Sequence, residues 1–479
     1  MNPWIPQLTR REWLRVGGAT VVGHSLLPTL RPHNVMAAET VKPRATAETC
    51  IFIDLMGGPS QLDTFDIKEG AWTPEDFDVQ TTKQGTRMPV GLLPKLSERI
   101  DQYAIVRSMN FFENAHVRGT YYLQAGRIQS PARLGEIPSV GSVVAYESLA
   151  NRKDDHFLPP FVSMNMDPFQ LVGSGLLGAT SSPLLVGQTQ TIGNRLRAMD
   201  TSLPLLVSDA ERPEFERRRD LLQRLRKEWH GGGEQTPRIF QDIDDYYHSA
   251  WRIMEDSRAA DVFAIPATDH DRYGASGVGD ACAVARNLVS ADAGTRFIFI
   301  AQDGWDLHGN AYEGNDFFVD GKLVKGGWNQ YQMCWDLDAA LATLLDDLAQ
   351  SKDPSGKPLL EKTLVVVMGE FGRLGGPLDG LKGRGHNEHA GVAVLAGAGV
   401  QGGVGLGATD ALGGKVATHG WHKDRPVYPE DILATIYSSL GIDWTKEILA
   451  TPSGRPFQYV ENTSPRGTID FGEISELFG

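Results

Sequence analysis

Six apolar runs punctuate the chain without the in-and-out alternation of a half-buried strand. They are Cys50 to Leu55, Tyr103 to Val106, Pro160 to Met164, Phe297 to Ala301, Leu364 to Met368 and Val392 to Leu395. Runs of this kind fit strands covered on both faces. Helical patterns lie between them. From Trp328 to Gln350, Leu337, Leu341, Leu344, Leu345 and Leu348 recur at helical spacing. From Pro429 to Leu440 a proline and two acids open a helix that Gly441 stops. Strands alternating with helices predict an α/β fold in three layers, α/β/α, around a largely parallel sheet. Glu211 to Trp229 and Gln241 to Arg258 read as highly charged helices separated by Gly231-Gly232-Gly233. They predict a helical insertion over about residues 210–260, with the charges on solvated faces.

The first residues obey a different logic. Arg10-Arg11 precede a mildly apolar run, Val16 to Leu30, which Gly17, Gly18 and Gly23 interrupt and Pro32 ends. Val35-Met36-Ala37 then offers small or apolar residues to a peptidase. This is the order of a secretory signal, and the arginine pair is its twin-arginine form. The run is short of the about 20 apolar residues a membrane span needs, and no other stretch approaches that length. Residues 1–37 are therefore read as a signal and 38–479 as the folded domain. The expected partner in export is the twin-arginine translocase, the destination the periplasm or the exterior, and no stable membrane span is expected after cleavage. The route carries folded cargo, including proteins loaded with a cofactor beforehand.

Composition narrows the function classes. The 479 residues are 41% hydrophobic and 22% charged, an ordinary globular balance. A net charge of −14 argues against nonspecific nucleic-acid binding, where neutralising phosphates supplies the affinity. Cys50, Cys282 and Cys334 are odd in number and far apart, which argues against a disulfide framework or a thiolate zinc site. They read as buried free thiols, with one long-range disulfide as the alternative in an oxidising compartment.

In open α/β sheets ligands bind beyond the carboxyl ends of strands. After the first run come Gly57-Gly58-Pro59-Ser60-Gln61-Leu62-Asp63, placing Ser60 and Asp63 at the mouth of the sheet, unless Asp63 merely caps a turn. After Phe297–Ala301 come Asp306 and His308, a carboxylate–imidazole pair suited to a divalent metal. After Leu364–Met368 come Glu370 and Arg373, then Gly383-Arg384-Gly385-His386. Arginine holds tetrahedral oxyanions well, although an ion pair with Glu370 would account for one equally. Each signal is weak singly. Together they predict metal ligands converging from distant loops.

These residues carry a resemblance. Arg10-Arg11, Gly57-Gly58-Pro59-Ser60 with Asp63-Thr64-Phe65-Asp66, Asn114-Ala115-His116, Gly304-Trp305-Asp306-Leu307-His308, Glu370-Phe371-Gly372-Arg373 and Gly383-Arg384-Gly385-His386 resemble a family of exported bacterial proteins carrying domain of unknown function 1501. That family is grouped with the alkaline phosphatase and sulfatase superfamily. The resemblance implies an alkaline phosphatase-like domain and a divalent metal (zinc, calcium, magnesium or manganese). It implies Asp306, His308, Glu370 and His386 as ligands, with Asp63 or its rival Asp54 as another. Sulfatases present a nucleophile on a turn into a helix ending in Thr-Gly-Arg. The matching stretch here runs from His116 to Ala125-Gly126-Arg127, so His116 stands where a Ser, Thr or Cys is required. Ordinary sulfatase chemistry is thereby in doubt, and Ser60 is a substitute only if it lies near the metal.

Two functions emerge as expectations. The first is an exported metal-dependent hydrolase of phosphate or sulfate esters acting on a small-molecule or glycan substrate. The metal would polarise the ester and activate water, Arg118, Arg373 or Arg384 would hold the oxyanion, and His116 would relay a proton or attack. The second is a noncatalytic exported protein that binds an anionic glycan or a protein partner on the same fold.

Overall fold

The computed structural model describes residues 35–37, 41–187, 210–229, 238–319 and 322–479. The expected signal segment lies outside these, apart from Val35–Ala37, which pair antiparallel with Lys446–Ile448. The central sheet has eight strands: β1 (Thr49–Met56), β2 (Tyr103–Val106), β3 (Phe161–Met164), β4 (Leu184–Val186), β5 (Phe297–Asp303), β6 (Thr363–Met368), β7 (Ala393–Ala396) and β8 (Gly405–Leu406). Their spatial order is β8-β2-β7-β6-β1-β5-β3-β4. Every neighbouring pair is parallel except those made by β7, which runs antiparallel to both β6 and β2.

Seven helices matter here: α1 (His116–Ala125), α2 (Val140–Ser148), α3 (Arg212–Trp229), α4 (Arg238–Glu255), α5 (Gly277–Ala291), α6 (Gln330–Gln350) and α7 (Pro429–Ser439). The strands lack apolar–polar alternation because both faces of the sheet are covered. Ile51, Ile53, Leu55, Ile298, Ile300, Val365 and Val367 enter a core with α5 and α6. Their sequence neighbours Cys50, Phe52, Phe297, Phe299, Leu364 and Val366 enter a second core with α1, α2 and α7. The period of two along each strand thus sorts side chains between two apolar layers, and the architecture is three-layered, α/β/α. Cys50, Cys282 and Cys334 are buried free thiols within these layers. The helices expected over the charged middle segment are α3 and α4, and Arg219 pairs with Glu255 between them. No helix among the described residues is long and apolar enough to cross a membrane.

The registers bring one edge of the sheet together. Met368 pairs with Asp54 and Ala393, Asp54 with Ala301, Met56 with Asp303, and Ala393 with Val106. The carboxyl ends of β1, β2, β5 and β6 and the amino end of β7 therefore share a boundary, and the loops beyond them meet.

Candidate metal centre

His116 opens α1, reached from β2. Asp306 and His308 come after β5, Glu370 and Arg373 after β6, and His386 precedes the reversed β7. Two glycines let these loops close. Gly57 has φ +107°, and a Cβ there would collide with the backbone of Trp305 and Asp306; one on Gly383 would collide with the His308 carbonyl.

Among the described residues, His116, Asp306, His308 and His386 bring one ligand atom each to within 4.8 Å of one another. Asp306 Oδ1 lies 3.0 Å from His308 Nε2, 3.1 Å from His116 Nε2 and 3.6 Å from His386 Nε2. The Nε2 atoms of His308 and His386 are 2.8 Å apart. His386 donates from Nδ1 to the Asn114 carbonyl at 2.7 Å, because a carbonyl only accepts. Its Nε2 therefore carries the lone pair in the neutral ring, so this nitrogen faces His308 as an acceptor. His116 Nδ1 lies 2.8 Å from Glu370 Oε1, which likewise directs its Nε2 inward. That Nε2 is buried and, though near Asp306, makes no well-formed hydrogen bond.

Electrostatics reflect the geometry. Burial disfavours the charged His116 ring, but the Asp306 and Glu370 carboxylates outweigh this and hold its pKa up to about 9. Burial raises Asp306, yet His116 and Arg373 hold it well below the usual carboxylate range. Burial, with Arg373 and the neighbouring histidines, lowers His386.

The other expected site residues surround this group. Glu370, expected as a ligand, stands behind His116; its oxygens accept from the Gly57 N–H at 2.9 and 3.2 Å. Asp63 lies outside the group, taking Arg384 Nε at 2.8 Å, the Ser60 hydroxyl at 2.6 Å and the Tyr312 hydroxyl at 2.9 Å. Ser60 and Arg384 are thereby committed to a buried ion pair, and Arg384 also donates to the Leu374 carbonyl. Arg373, expected to hold an oxyanion, is buried and spends its donors on Asp306 Oδ1 (2.6 Å) and on the Gly57, Gly58 and Arg384 carbonyls. Arg118 is half exposed and pairs with Glu113.

Three further positions, Asn114 and Asp303 beyond the expected ligand set and Asp54 within it, also lie by the centre. Asn114 fixes the His386 tautomer. Asp54, the rival to Asp63, is fully buried, and neither of its oxygens has a hydrogen-bond partner. Burial, then the charges of Glu370 and Asp303, pushes its pKa well up. Asp303 itself is raised chiefly by burial. As the last residue of β5 it belongs to the strand, so attention to the loops beyond strand ends passes over it.

A family model described as "Protein of unknown function (DUF1501)" matches residues 47–467. The chain belongs to the DUF1501 family. No curated protein matches the chain in sequence. Among solved structures, this DUF1501 protein is similar to a protein in the alkaline phosphatase superfamily from Vibrio parahaemolyticus, at 12% identity over 89% of this chain and 74% of that one, TM-score 0.37. It is also similar to the PsFucS1 sulfatase from Pseudoalteromonas sp., at 11% identity over 91% and 72% of the two chains, TM-score 0.34. A third is the C-terminal periplasmic domain of EcEptC from Escherichia coli in complex with Zn, at 10% identity over 78% and 77%, TM-score 0.32.

Proposed function

We propose that this DUF1501 protein is an exported metal-dependent hydrolase of phosphate or sulfate esters, acting on a small-molecule or glycan substrate. The observation that carries the reading is the convergence of three imidazoles and one carboxylate within 4.8 Å. The donor set fits a divalent cation. His116 and His386 have their outer nitrogens engaged by Glu370 and Asn114, the arrangement that orients metal-binding histidines. Three nitrogens and one oxygen suit a borderline cation such as zinc better than calcium or magnesium, which favour oxygen ligands. When bound, such a cation supplies Lewis acidity that polarises an ester oxygen and acidifies water.

The chain's own residues do the rest. His116, Asp306, His308 and His386 hold the cation, Arg373 fixes the Asp306 carboxylate, and Glu370 fixes the His116 tautomer. His116 is read as a ligand rather than a nucleophile, since its Nε2 faces the other ligand atoms. Ser60, Asp63 and Arg384 brace the loop that carries His386. Arg118, the guanidinium among the three that faces solvent, meets an oxyanion only by releasing Glu113, with which it pairs at 2.7 Å. Elemental analysis of the purified protein, with a screen of phosphate and sulfate esters after zinc, manganese, magnesium or calcium addition, tests the reading. Metal-free protein that stays inert after every addition removes it.

The absence of a hydroxyl or thiol at position 116 favours a second reading, a noncatalytic binding protein for an anionic glycan or a protein partner. Turnover that Asp306→Ala abolishes while the fold persists excludes it.

A further inference from the structure

Gln61 follows the Gly57-Gly58-Pro59-Ser60 turn and is wholly buried. All of its side-chain hydrogen bonds go to backbone. Oε1 accepts from the Arg373 N–H at 2.8 Å, and Nε2 donates to the Arg373 and Gly413 carbonyls, both at 2.7 Å. A side-chain amide carries donor and acceptor side by side, as a peptide group does. Gln61 therefore does for Arg373 what an adjoining strand would do, holding its N–H and its carbonyl together. The close approach depends on Gly372, where a Cβ would lie 2.5 Å from Gln61 Oε1. Arg373 carries this hold to the centre. Gly372-Arg373 pairs antiparallel with His386-Asn387, which sets Arg373 opposite one candidate ligand, His386. Its guanidinium donates to another, Asp306 Oδ1, at 2.6 Å, and to the Arg384 carbonyl at 2.9 Å. Asn387 Nδ2 adds a longer contact to the Arg373 carbonyl, at 3.3 Å.

We propose that Gln61 is a positioning residue of the metal centre, which by fixing the Arg373 backbone sets where Asp306 and His386 stand relative to each other. The inference rests on the metal reading of that site and adds a residue outside its ligand set. A buried amide with a merely structural role would support the fold and leave metal affinity and ligand geometry alone.

Two variants of the full chain separate these roles. Gln61→Glu keeps the shape of the side chain and an acceptor but removes both amide hydrogens. Gln61→Met removes donors and acceptor together. Tyr273→Phe is the control: it cuts a buried hydrogen bond to Asp347 of α6 and none to a candidate ligand. Zinc affinity is measured by chelator competition on protein that circular dichroism shows to be folded. The visible spectrum of the cobalt-loaded form reports ligand number and geometry. Both Gln61 variants are expected to bind zinc about tenfold more weakly and to show altered cobalt bands. Tyr273→Phe is expected to lower the Tm and leave both readouts unchanged. A folded Gln61→Met with unaltered zinc affinity and cobalt spectrum overturns the inference. So does a Tyr273→Phe that loses as much zinc affinity as Gln61→Met. Hydrogen–deuterium exchange of the unaltered protein covers the case in which neither Gln61 variant folds. Zinc is expected to slow exchange in segments 58–64 and 370–376 as well as in those that carry the ligands. Protection confined to the ligand-bearing segments overturns the proposal. Should the unaltered protein bind no zinc, the metal reading fails and Gln61 has nothing to position; zinc bound equally well by the Gln61 variants removes this inference alone.

Discussion

The hydrogen bond between Glu370 Oε1 and His116 Nδ1, 2.8 Å long, decides which nitrogen of the ring faces the other ligands. A carboxylate also makes that ring more basic, so removing it weakens the centre without removing a ligand. Glu370→Gln is expected to lower metal affinity by about tenfold, and Glu370→Ala by up to about 100-fold, measured by competition with a chromophoric chelator. Unaltered affinity in both would deny Glu370 its positioning role. Asp306→Asn should empty the site altogether, read as loss of bound divalent metal by elemental analysis with an unchanged circular dichroism spectrum. At this scale the sequence places these residues just past strand ends but does not say which of them meet. Glu370 and Asp63 both look like ligands from their place after a strand. Only packing shows that one oxygen pair faces a glycine N–H and a histidine, and the other an arginine. The Asp63–Arg384 pair is almost wholly buried, and breaking one side leaves an uncompensated charge. Arg384→Met is therefore expected to cost about 3–5 kcal/mol in urea unfolding, whereas a loss under about 1 kcal/mol would place the pair in contact with solvent.

Between elements, α1 and α7 are tied by the Tyr122 hydroxyl, which donates to Glu430 Oε2 at 2.5 Å. Burial raises the Glu430 carboxyl to about 8, and the Tyr122 hydrogen bond only partly offsets this. An unfolded glutamate loses its proton near its usual value, about 4.3. Between that pH and about 8 the folded state holds one proton more than the unfolded state. Stability therefore falls as pH rises through this window and levels off above it. Glu430→Gln removes the titrating group, so its urea midpoint from pH 5 to pH 8 is expected to decline less steeply than that of the unaltered protein. Parallel pH profiles would show that Glu430 ionises in the folded state as it does in water. The elements themselves were largely legible: β2 matches its apolar run, and α7 begins at the proline and stops just short of Gly441. Apolar runs and helix punctuation are local properties, and burial on both faces is what erases alternation.

Across the whole molecule, the candidate ligands sit on three segments, after β2, after β5 and between β6 and β7, joined only by tertiary contacts. A bound cation consequently acts as a cross-link present in the folded state alone. Free zinc at about 100 times its dissociation constant should stabilise the protein by about 2.7 kcal/mol, seen as a rise in Tm that excess chelator reverses. The double variant Asp306→Asn, His386→Ala should show no such rise. A Tm indifferent to zinc in the unaltered protein would contradict a preformed centre. His386 joins the others because β7 runs against its neighbours, which brings the segment before it, rather than after it, to the active edge. An apolar run of four residues reads the same in either direction, so the sequence holds no local sign of that reversal.

What the chain by itself determined was the inventory: strands buried on both faces, helices with their stops, and carboxylates, imidazoles and guanidinia gathered just past strand ends. These are set by hydrophobic periodicity and backbone preference within a few residues of each other. The tertiary structure decided which of those polar groups share a point in space. It drew three histidines and Asp306 together, put Glu370 behind them, and diverted Asp63, Ser60 and Arg384 into a brace. Ligation depends on ångström-scale distances between residues far apart in sequence, and strand order, direction and register alone set those distances.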